Sequence, residues 1–122
     1  MCSSDLRSSG LRVIGGERPP GLERGYFLAP ALVLDAPDQA EVVTDELFGP
    51  VMAIQAFDDE AEAIQRANAT RFGLAASVWT NDFQRAHRVA SRLQAGTVWV
   101  NTYGALPHTA PFGGFKIGRA HV

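Results

Sequence analysis

The chain has 122 residues, 46% of them hydrophobic and 20% charged, which suits one modest core in an ordinary globular chain. A net charge of -2, with scattered basic residues, gives no reason to expect a nucleic acid or an anionic membrane as partner. No apolar run has the length of a membrane span, and nothing resembles a secretory signal. The single cysteine, Cys2, excludes an internal disulfide and a cysteine-based metal cluster. We therefore expect a cytoplasmic location.

The residue pattern in the first half of the chain predicts short strands separated by loops. Residues 11–14 form a strand, and residues 26–34 form a second one that Pro30 makes irregular. Residues 41–43 pair briefly as a third strand. Residues 51–57 follow as a strand of about seven residues, because they continue the apolar pattern after a Gly-Pro turn.

A helix follows. Asp59 is its expected N-terminal cap, and Glu62 three residues later completes a capping box. Glu62 and Arg66 have the i, i+4 spacing of a helical ion pair. The helix is expected to end near residues 68–71.

The second half continues with two strands and another helix. Residues 74–79 are nearly all apolar, which predicts a strand buried on both faces. Asn81 or Asp82 caps the next helix, Gly96 is its expected C-terminal cap, and residues 97–100 form the last strand. The apolar stripe of this helix consists of Phe83, Ala86, Val89, Ala90 and Leu93.

This order of strand, helix, strand, helix and strand predicts an α/β fold, a parallel-type βαβαβ arrangement with right-handed crossovers. Ligands of such sheets bind at the carboxyl ends of the strands, and Asn101 leaves the last strand at that end. Trp79 and Trp99 lie in apolar strands, so we expect them in the core.

Residues 45–51 place a carboxylate and an aromatic ring two residues apart, just before a Gly-Pro break. In an extended segment residues two apart point the same way, so Glu46 and Phe48 would face one ligand together. A carboxylate accepts two hydrogen bonds, which suits a sugar diol, and a ring suits a flat heterocycle. The simpler interpretation is a solvated acidic loop with Phe48 plugged into a core.

Three ordered motifs carry a family resemblance. Residues 46–51, Glu-Leu-Phe-Gly-Pro-Val, resemble the E-x-F-G-P-V signature of the aldehyde dehydrogenase superfamily. Residues 67–76, and residues 95–101 followed by Pro-Phe-Gly-Gly-Phe-Lys at 111–116, agree in order and spacing. The similarity runs from about residue 12 to residue 116. It identifies the chain as resembling the C-terminal part of an aldehyde dehydrogenase catalytic domain.

The resemblance implies NAD or NADP as cofactor and an aldehyde as the small-molecule substrate. It implies that Glu46 contacts the ribose next to nicotinamide and that Phe48 packs beside the nicotinamide ring. Leu106 and Phe112 fall where the family lines its aldehyde pocket, and Asn101 falls near the substrate channel. Structural alternatives remain for three of these residues: core packing for Phe48, a loop anchor for Phe112 and turn capping by Asn101.

The family's chemistry needs a cysteine thiolate, a hydride acceptor and a glutamate base. The family's cysteine and base glutamate lie upstream of the Glu46 motif, and nothing between Arg7 and Asp45 matches them. Cys2 lacks the flanking motif. The resemblance therefore implies a homo-oligomeric parent enzyme that oxidises an aldehyde to a carboxylic acid. We expect these residues alone to be inactive. We name no catalytic residue and no metal ligand here.

Two other hypotheses stay open. The chain is a short non-catalytic protein that binds a nucleotide or a full-length subunit, or the parent is a member that makes an acyl-CoA or reduces an acyl phosphate. Only hydrolysing members need the base glutamate, so the upstream residues would discriminate between the last alternative and aldehyde oxidation.

The two ends suggest a non-native origin. One short DNA element, read on its two strands, would encode both residues 1–5 and residues 117–121, as a sequencing adapter left on a metagenomic fragment would. After Lys116 the sequence also departs from the family's Ser-Gly and Gly-Arg-Glu pattern. We expect residues 1–6 and 117–122 to be non-native, and residues 7–116 to be a partial catalytic domain.

Overall fold

The computed structural model describes residues 8–116, and the chain divides into two compact units, Met1–Ala56 and Phe57–Val122. The first unit contains β1 (Arg12–Gly15), β2 (Ala31–Leu34), α1 (Glu41–Thr44) and β3 (Val51–Ile54). The second unit contains α2 (Glu60–Asn68), β4 (Ala75–Val78), α3 (Phe83–Ala90) and β5 (Thr97–Val100). The ends that we expect to be non-native lie outside the described residues, as does Cys2.

The first unit is built on a three-stranded sheet in the order β1-β2-β3. β1 pairs with β2 antiparallel, and β2 pairs with β3 parallel, with Ala31 opposite Val51. The central strand supplies the core, because Ala31 and Val33 are almost completely buried, together with Ala36 just after the strand. The half-buried side chains that pack against this core are Leu11, Val13, Ala40, Val42, Val43 and Val51.

The prediction of a strand at residues 41–43 is wrong, since these residues form the short helix α1. The backbone N–H groups of Val43 and Thr44 both donate to the carbonyl oxygen of Ala40, at 2.8 and 3.0 Å. One helical turn satisfies these groups locally while Val42 and Val43 pack against the core. The tertiary contact therefore overrides the strand preference of two consecutive valines.

Two predicted strands of the first unit are shorter in the structure. β2 begins only after Pro30, whose carbonyl oxygen accepts from the N–H of Gly16 at 3.0 Å but which has no N–H of its own. β3 ends at Ile54 rather than at Phe57. The predicted strand at residues 11–14 is present, shifted by one residue.

The second unit contains a parallel strand-helix-strand unit. β4 pairs with β5 parallel, with Ala75 opposite Thr97 and Val78 opposite Val100, and α3 is the connection that packs on both strands. This arrangement confirms the predicted α/β class with a parallel crossover. β3, however, is hydrogen-bonded to β2 in the first sheet, so the described strands form two sheets rather than one continuous βαβαβ ladder.

Local signals place both long helices correctly. The Asp59 side chain accepts from the N–H of Glu62 at 2.8 Å, as an N-terminal cap does. Glu62 reaches the N–H of Asp58 at 2.7 Å, one residue earlier than a standard capping box, and pairs with Arg66 at 2.9 Å. Asp82 caps α3 by accepting from the N–H of Arg85 at 3.0 Å.

Three expectations for the second unit are wrong. Gly96 does not cap α3, because this helix ends at Ala90 with Ser91 as its cap. Trp79 is 68% exposed and Phe83 is 76% exposed, although both were expected to be buried. Among the described residues β4 pairs only with β5, Trp79 lies just beyond its end, and Phe83 is the first residue of α3.

No helix within residues 8–116 is both long and apolar enough to cross a membrane.

Candidate functional site

The loop of residues 45–50 is held at both ends by regular structure. The N–H of Asp45 donates to the carbonyl oxygen of Glu41 at 2.9 Å, which ties the start of the loop to α1. The carbonyl oxygen of Pro50 accepts from the N–H of Ala31 at 2.8 Å, which ties its end to β2. A loop positioned by a rigid scaffold in this way is a common place for binding groups.

Within this loop the side chains alternate. Glu46 is exposed, Leu47 is half-buried and Phe48 is 97% exposed. Phe48 therefore does not pack into the core of the first unit. The loop presents a carboxylate and an uncovered ring to solvent, separated by one residue that turns inward. This combination can accept two hydrogen bonds from a diol and stack on a flat heterocycle.

Asn101 lies directly after β5 and adopts a left-handed backbone with φ of 54°. Its N–H donates to the carbonyl oxygen of Val78 at 2.8 Å and so continues the parallel ladder. Its side-chain oxygen accepts from the N–H of Thr80 at 2.9 Å, and its side-chain nitrogen donates to the carbonyl oxygen of Thr80 at 2.9 Å. The amide thus braces the chain after β4 against the chain after β5.

The next residues of this loop are also tied to the sheet. The indole N–H of Trp99 donates to the carbonyl oxygen of Ala105 at 2.7 Å, and its ring meets the ring of Tyr103 edge-on at 5.2 Å. The hydroxyl of Ser77 donates to the carbonyl oxygen of Thr102 at 2.6 Å. Leu106 follows these anchors and is 49% exposed. Its side chain is therefore available for contact at the carboxyl end of the β4–β5 sheet.

Phe112 is half-buried and begins a segment that is in close contact with two other parts of the second unit. The carbonyl oxygen of Gly73 accepts from the N–H of Gly96 at 3.0 Å and from the N–H of Phe115 at 2.8 Å. A Cβ atom added at Gly96 would overlap the carbonyl oxygen of Gly113. We call the meeting point of Gly73, Gly96 and Gly113 the glycine junction.

Two side chains that sequence reasoning did not assign lock this junction. The Lys116 ammonium donates to the carbonyl oxygens of Asn68 and Thr70, at 2.7 and 2.6 Å. The Asn68 side chain donates to the carbonyl oxygen of Arg92 at 2.9 Å and accepts from the N–H of Gln94 at 2.8 Å. Both side chains therefore hold the C-terminal end of α2 against more distant parts of the chain. The sequence signal that could have drawn attention to Lys116 is that it is the single lysine of the chain.

An apolar groove of about 590 Å³ lies between α2, β4 and α3. None of the five predicted site residues lines it. Its apolar lining includes Ala63, Ile64, Ala67, Val78, Val89 and Leu93.

The carboxyl groups whose pKa is shifted lie at the starts of helices α2 and α3 rather than in the loops that hold the predicted site residues. Hydrogen bonds from the Arg88 guanidinium, both 2.7 Å long, lower the pKa of the Glu60 carboxyl below its ordinary value. The same contact raises the pKa of Arg88. The hydrogen bond from the N–H of Arg85 lowers the pKa of Asp82. Within residues 8–116, no three His, Cys, Asp or Glu side chains come together as potential metal ligands.

The sequence profile described as "Aldehyde dehydrogenase family" matches residues 3–120, nearly the whole chain. The chain belongs to the aldehyde dehydrogenase family. It is 47% identical over 115 residues to 4-trimethylaminobutyraldehyde dehydrogenase of Rattus norvegicus, covering 90% of this chain. It is 48% identical over 112 residues to betaine aldehyde dehydrogenase 1 of Rhizobium meliloti, again over 90% of this chain. It spans only 23% of the length of each of these two relatives.

The fold agrees with this membership. The structure of betaine aldehyde dehydrogenase from Staphylococcus aureus in complex with NAD+ superposes with a TM-score of 0.87 at 37% identity. The superposition covers 95% of this chain and 24% of that one. This aldehyde dehydrogenase segment thus places Glu46 and Phe48 in one loop of its first unit, and Asn101, Leu106 and Phe112 in loops of its second unit.

Proposed function

We propose that this segment belongs to an enzyme that oxidises an aldehyde to a carboxylic acid with NAD or NADP. The observation that carries this proposal is the loop of residues 45–50, where Glu46 and the 97% exposed ring of Phe48 are presented together. A fully uncovered ring on an anchored loop has no role in the core of the first unit. Binding a flat ligand explains its exposure, and membership of the family supplies the ligand class.

The residues of the loop fit a nicotinamide nucleotide. The Glu46 carboxylate would accept hydrogen bonds from the two ribose hydroxyls, and the Phe48 ring would pack beside the nicotinamide. When bound, this cofactor accepts the hydride that leaves the substrate. The protein's contribution here is to orient the ring, because the loop is tied to α1 and β2 on its two sides.

The second unit would contribute to the aldehyde site. In this proposal Phe112 and Leu106 supply apolar surface, and Asn101 shapes the channel by bracing Thr80 rather than by offering a free amide. The nucleophilic cysteine and the base glutamate would come from other parts of the full-length enzyme. We therefore propose that residues 8–116 bind and orient but do not react. A cytoplasmic location and a homo-oligomeric parent complete the proposal.

The test uses the full-length enzyme that contains this segment, with formation of the reduced cofactor as the signal. E46Q should raise the cofactor KM and lower kcat/KM for the cofactor by about tenfold or more, since a charge-assisted hydrogen bond contributes about 1.5–3 kcal/mol. F48A should change both constants in the same direction, because it removes the ring that packs beside the nicotinamide. The aldehyde KM should stay near that of the wild type. The matched control is E41Q, which removes a neighbouring exposed carboxylate from α1 and should leave both constants unchanged.

Cofactor constants that stay at the wild-type values in both E46Q and F48A would contradict the proposal. The substrate panel should contain betaine aldehyde and 4-trimethylaminobutyraldehyde, which name the relatives, beside uncharged aldehydes. The same assay on the 122-residue chain alone should give no turnover. Turnover by that chain would show that the reacting groups lie within it. Cofactor binding without any turnover by the full-length protein would favour a non-catalytic nucleotide-binding protein.

A further inference from the structure

Lys116 is the single lysine of the chain. Lysine and arginine together number eleven, so the other ten are arginines. Lys116 is half-buried, and its ammonium donates to two backbone carbonyl oxygens, Asn68 at 2.7 Å and Thr70 at 2.6 Å. Asn68 is the last residue of α2, where helix carbonyls lack helical partners and the helix dipole is negative, and Thr70 follows two residues later. A compact ammonium with three donors can serve two oxygens at once, whereas a guanidinium offers a rigid planar fork.

The stem of Lys116 is fixed as firmly as its head. A Cβ added at Gly73 would come within 3.0 Å of the Lys116 Cγ atom, so the two residues pack closely. The preceding residue, Phe115, donates its N–H to the carbonyl oxygen of Gly73 at 2.8 Å. Residues 115 and 116 together therefore fasten the end of the segment that we call the strap, residues 111–116, to the glycine junction and to α2.

This fastening decides where Phe112 lies. Phe112 is followed by Gly113 and Gly114, whose backbones have more conformational freedom than any other residue type. A ring that precedes two glycines is held in one place only if the chain beyond them is anchored. The anchors are the contact of Gly113 with Gly96 and the hydrogen bonds of Phe115 and Lys116. Loss of the ammonium would remove the anchor at residue 116, which is the C-terminal one of the three.

We propose that Lys116 is a positioning residue of the aldehyde site: by tying the strap to the end of α2, it holds Phe112 where the aldehyde binds. The inference rests on the proposed function, in which Phe112 lines that pocket. Lys116 itself touches neither the substrate nor the cofactor in this proposal. Its effect on catalysis passes through Phe112 alone.

The test is a double-mutant cycle in the full-length enzyme with K116M, F112A and the combined variant. K116M keeps most of the stem and removes the ammonium. It should raise the aldehyde KM by about tenfold, the size expected when two residues linked through the backbone of the strap are coupled by about 1.4 kcal/mol. The cofactor KM should change by less than about twofold, because in this proposal Lys116 acts on Phe112 and on no residue of the cofactor loop. The combined variant should be no worse than F112A, because the anchor has nothing left to position.

The structural control is N68A. It removes the Asn68 hydrogen bonds to Arg92 and Gln94 but leaves the backbone carbonyl that Lys116 uses. N68A should lower the melting temperature as K116M does, while the aldehyde KM stays near the wild-type value. If K116M also lowers only the melting temperature, or if its effect on KM adds fully to that of F112A, the proposal is overturned.

Two further outcomes are distinguishable. If F112A leaves the aldehyde KM unchanged, Phe112 does not line the pocket, and both this proposal and that part of the proposed function fail. If F112A raises the aldehyde KM while K116M does not, only the role of Lys116 fails. Should K116M not accumulate as folded enzyme, K116R replaces it in the cycle. A folded K116R enzyme with a lowered melting temperature and a wild-type aldehyde KM would also overturn the proposal.

Discussion

In the first unit the motif side chains of Glu46 and Phe48 are exposed, Phe48 to 97%, while Leu47 between them is half-buried. In the second unit the motif residues Gly73, Gly96 and Lys116 contact one another or nearby backbone at close range. The first set offers side-chain groups that no core of its unit uses. The second set has its polar groups engaged in hydrogen bonds that join distant parts of the chain. Family motifs can therefore contain exposed side chains in one place and close backbone contacts in another.

The difference can be traced to residue type. A carboxylate and a ring have functional groups that a ligand can meet, and an anchored loop lets them project. A glycine has no side chain to offer, so a glycine within a motif can instead mark close backbone approach, as it does at Gly96 and Gly113 but not at Gly49. Changes in the glycine junction should consequently act on stability first, whereas changes at Glu46 and Phe48 should act on ligand binding first.

The largest expected effect is that of G96A. The added Cβ would overlap the Gly113 carbonyl oxygen, and this neighbour is backbone that cannot rotate away. Overpacking of this kind usually costs about 1–3 kcal/mol, and we expect a loss well above this range here because the Gly113 backbone would have to move. Urea unfolding of the full-length enzyme should therefore show a clear loss of stability.

The matched glycine control is G49A. A Cβ at Gly49 would meet no atom within 4 Å, and its φ is not in the left-handed region. G49A should change the free energy of unfolding by less than about 0.5 kcal/mol. Equal losses in the two variants would contradict the view that the second unit, and not the loop of the first, depends on close backbone contact.

Asn101 gives the next largest effect, because its side chain and its backbone both contribute. N101A removes two hydrogen bonds to Thr80, each contributing about 1 kcal/mol. It also places an alanine at a φ of 54°, which costs about 1–2 kcal/mol. N101G loses the same hydrogen bonds but tolerates this backbone. N101G should therefore be more stable than N101A by about 1 kcal/mol in thermal unfolding. N101A as stable as the wild type would show that the brace contributes nothing.

Local sequence signals predicted the elements whose causes are local. Asp59 and Asp82 were identified as caps from their position before helical periodicity, and residues 97–100 form a strand with the predicted bounds. Residues 41–43 were predicted wrongly because packing on Val33 and Ala36, not the preference of valine, decided their conformation. Trp79 was expected to be buried from the apolar run of residues 74–79, and Phe83 from its place in the helical stripe. Neither pattern reports what a two-stranded sheet can cover.

The candidate site shows the same division. The spacing of Glu46 and Phe48 predicted a common direction, and the half-buried Leu47 between two exposed residues agrees with it. Their role towards a cofactor stays a prediction. The hydrogen bonds of Lys116 join residues 48 and 46 positions apart, so no local pattern contains them. The signals that pointed to this residue were the rarity of lysine in the sequence and its place at the end of the 111–116 motif.

A smaller effect concerns how the stability of the second unit depends on pH in the acidic range. The pKa of Glu60 is lowered in the folded state, first by the hydrogen bonds from Arg88. The charged form is thus favoured by folding, and the stability gained is present above the ordinary carboxyl pKa and lost as the pH falls through the lowered value. E60Q should therefore be less stable than the wild type near neutral pH, and the difference should shrink below about pH 4.

The matched control for E60Q is E17Q, which changes an exposed carboxyl in the first unit. Thermal unfolding of both variants from neutral pH to acid would compare the two units directly. A difference between E60Q and the wild type that stays constant over this range would mean that the ion pair with Arg88 does not couple folding to protonation.

The smallest expected effect on stability is that of F48A, although the same change should strongly impair cofactor use. Because the ring is 97% exposed, its removal uncovers almost no apolar surface, and the free energy of unfolding should shift by less than about 0.5 kcal/mol. F112A, at a half-buried ring, should be more destabilising. Measured without cofactor, a larger loss for F48A than for F112A would mean that Phe48 serves the fold. Addition of cofactor should raise the melting temperature of the wild-type enzyme more than that of F48A, because the exposed ring contributes to stability only through the bound cofactor.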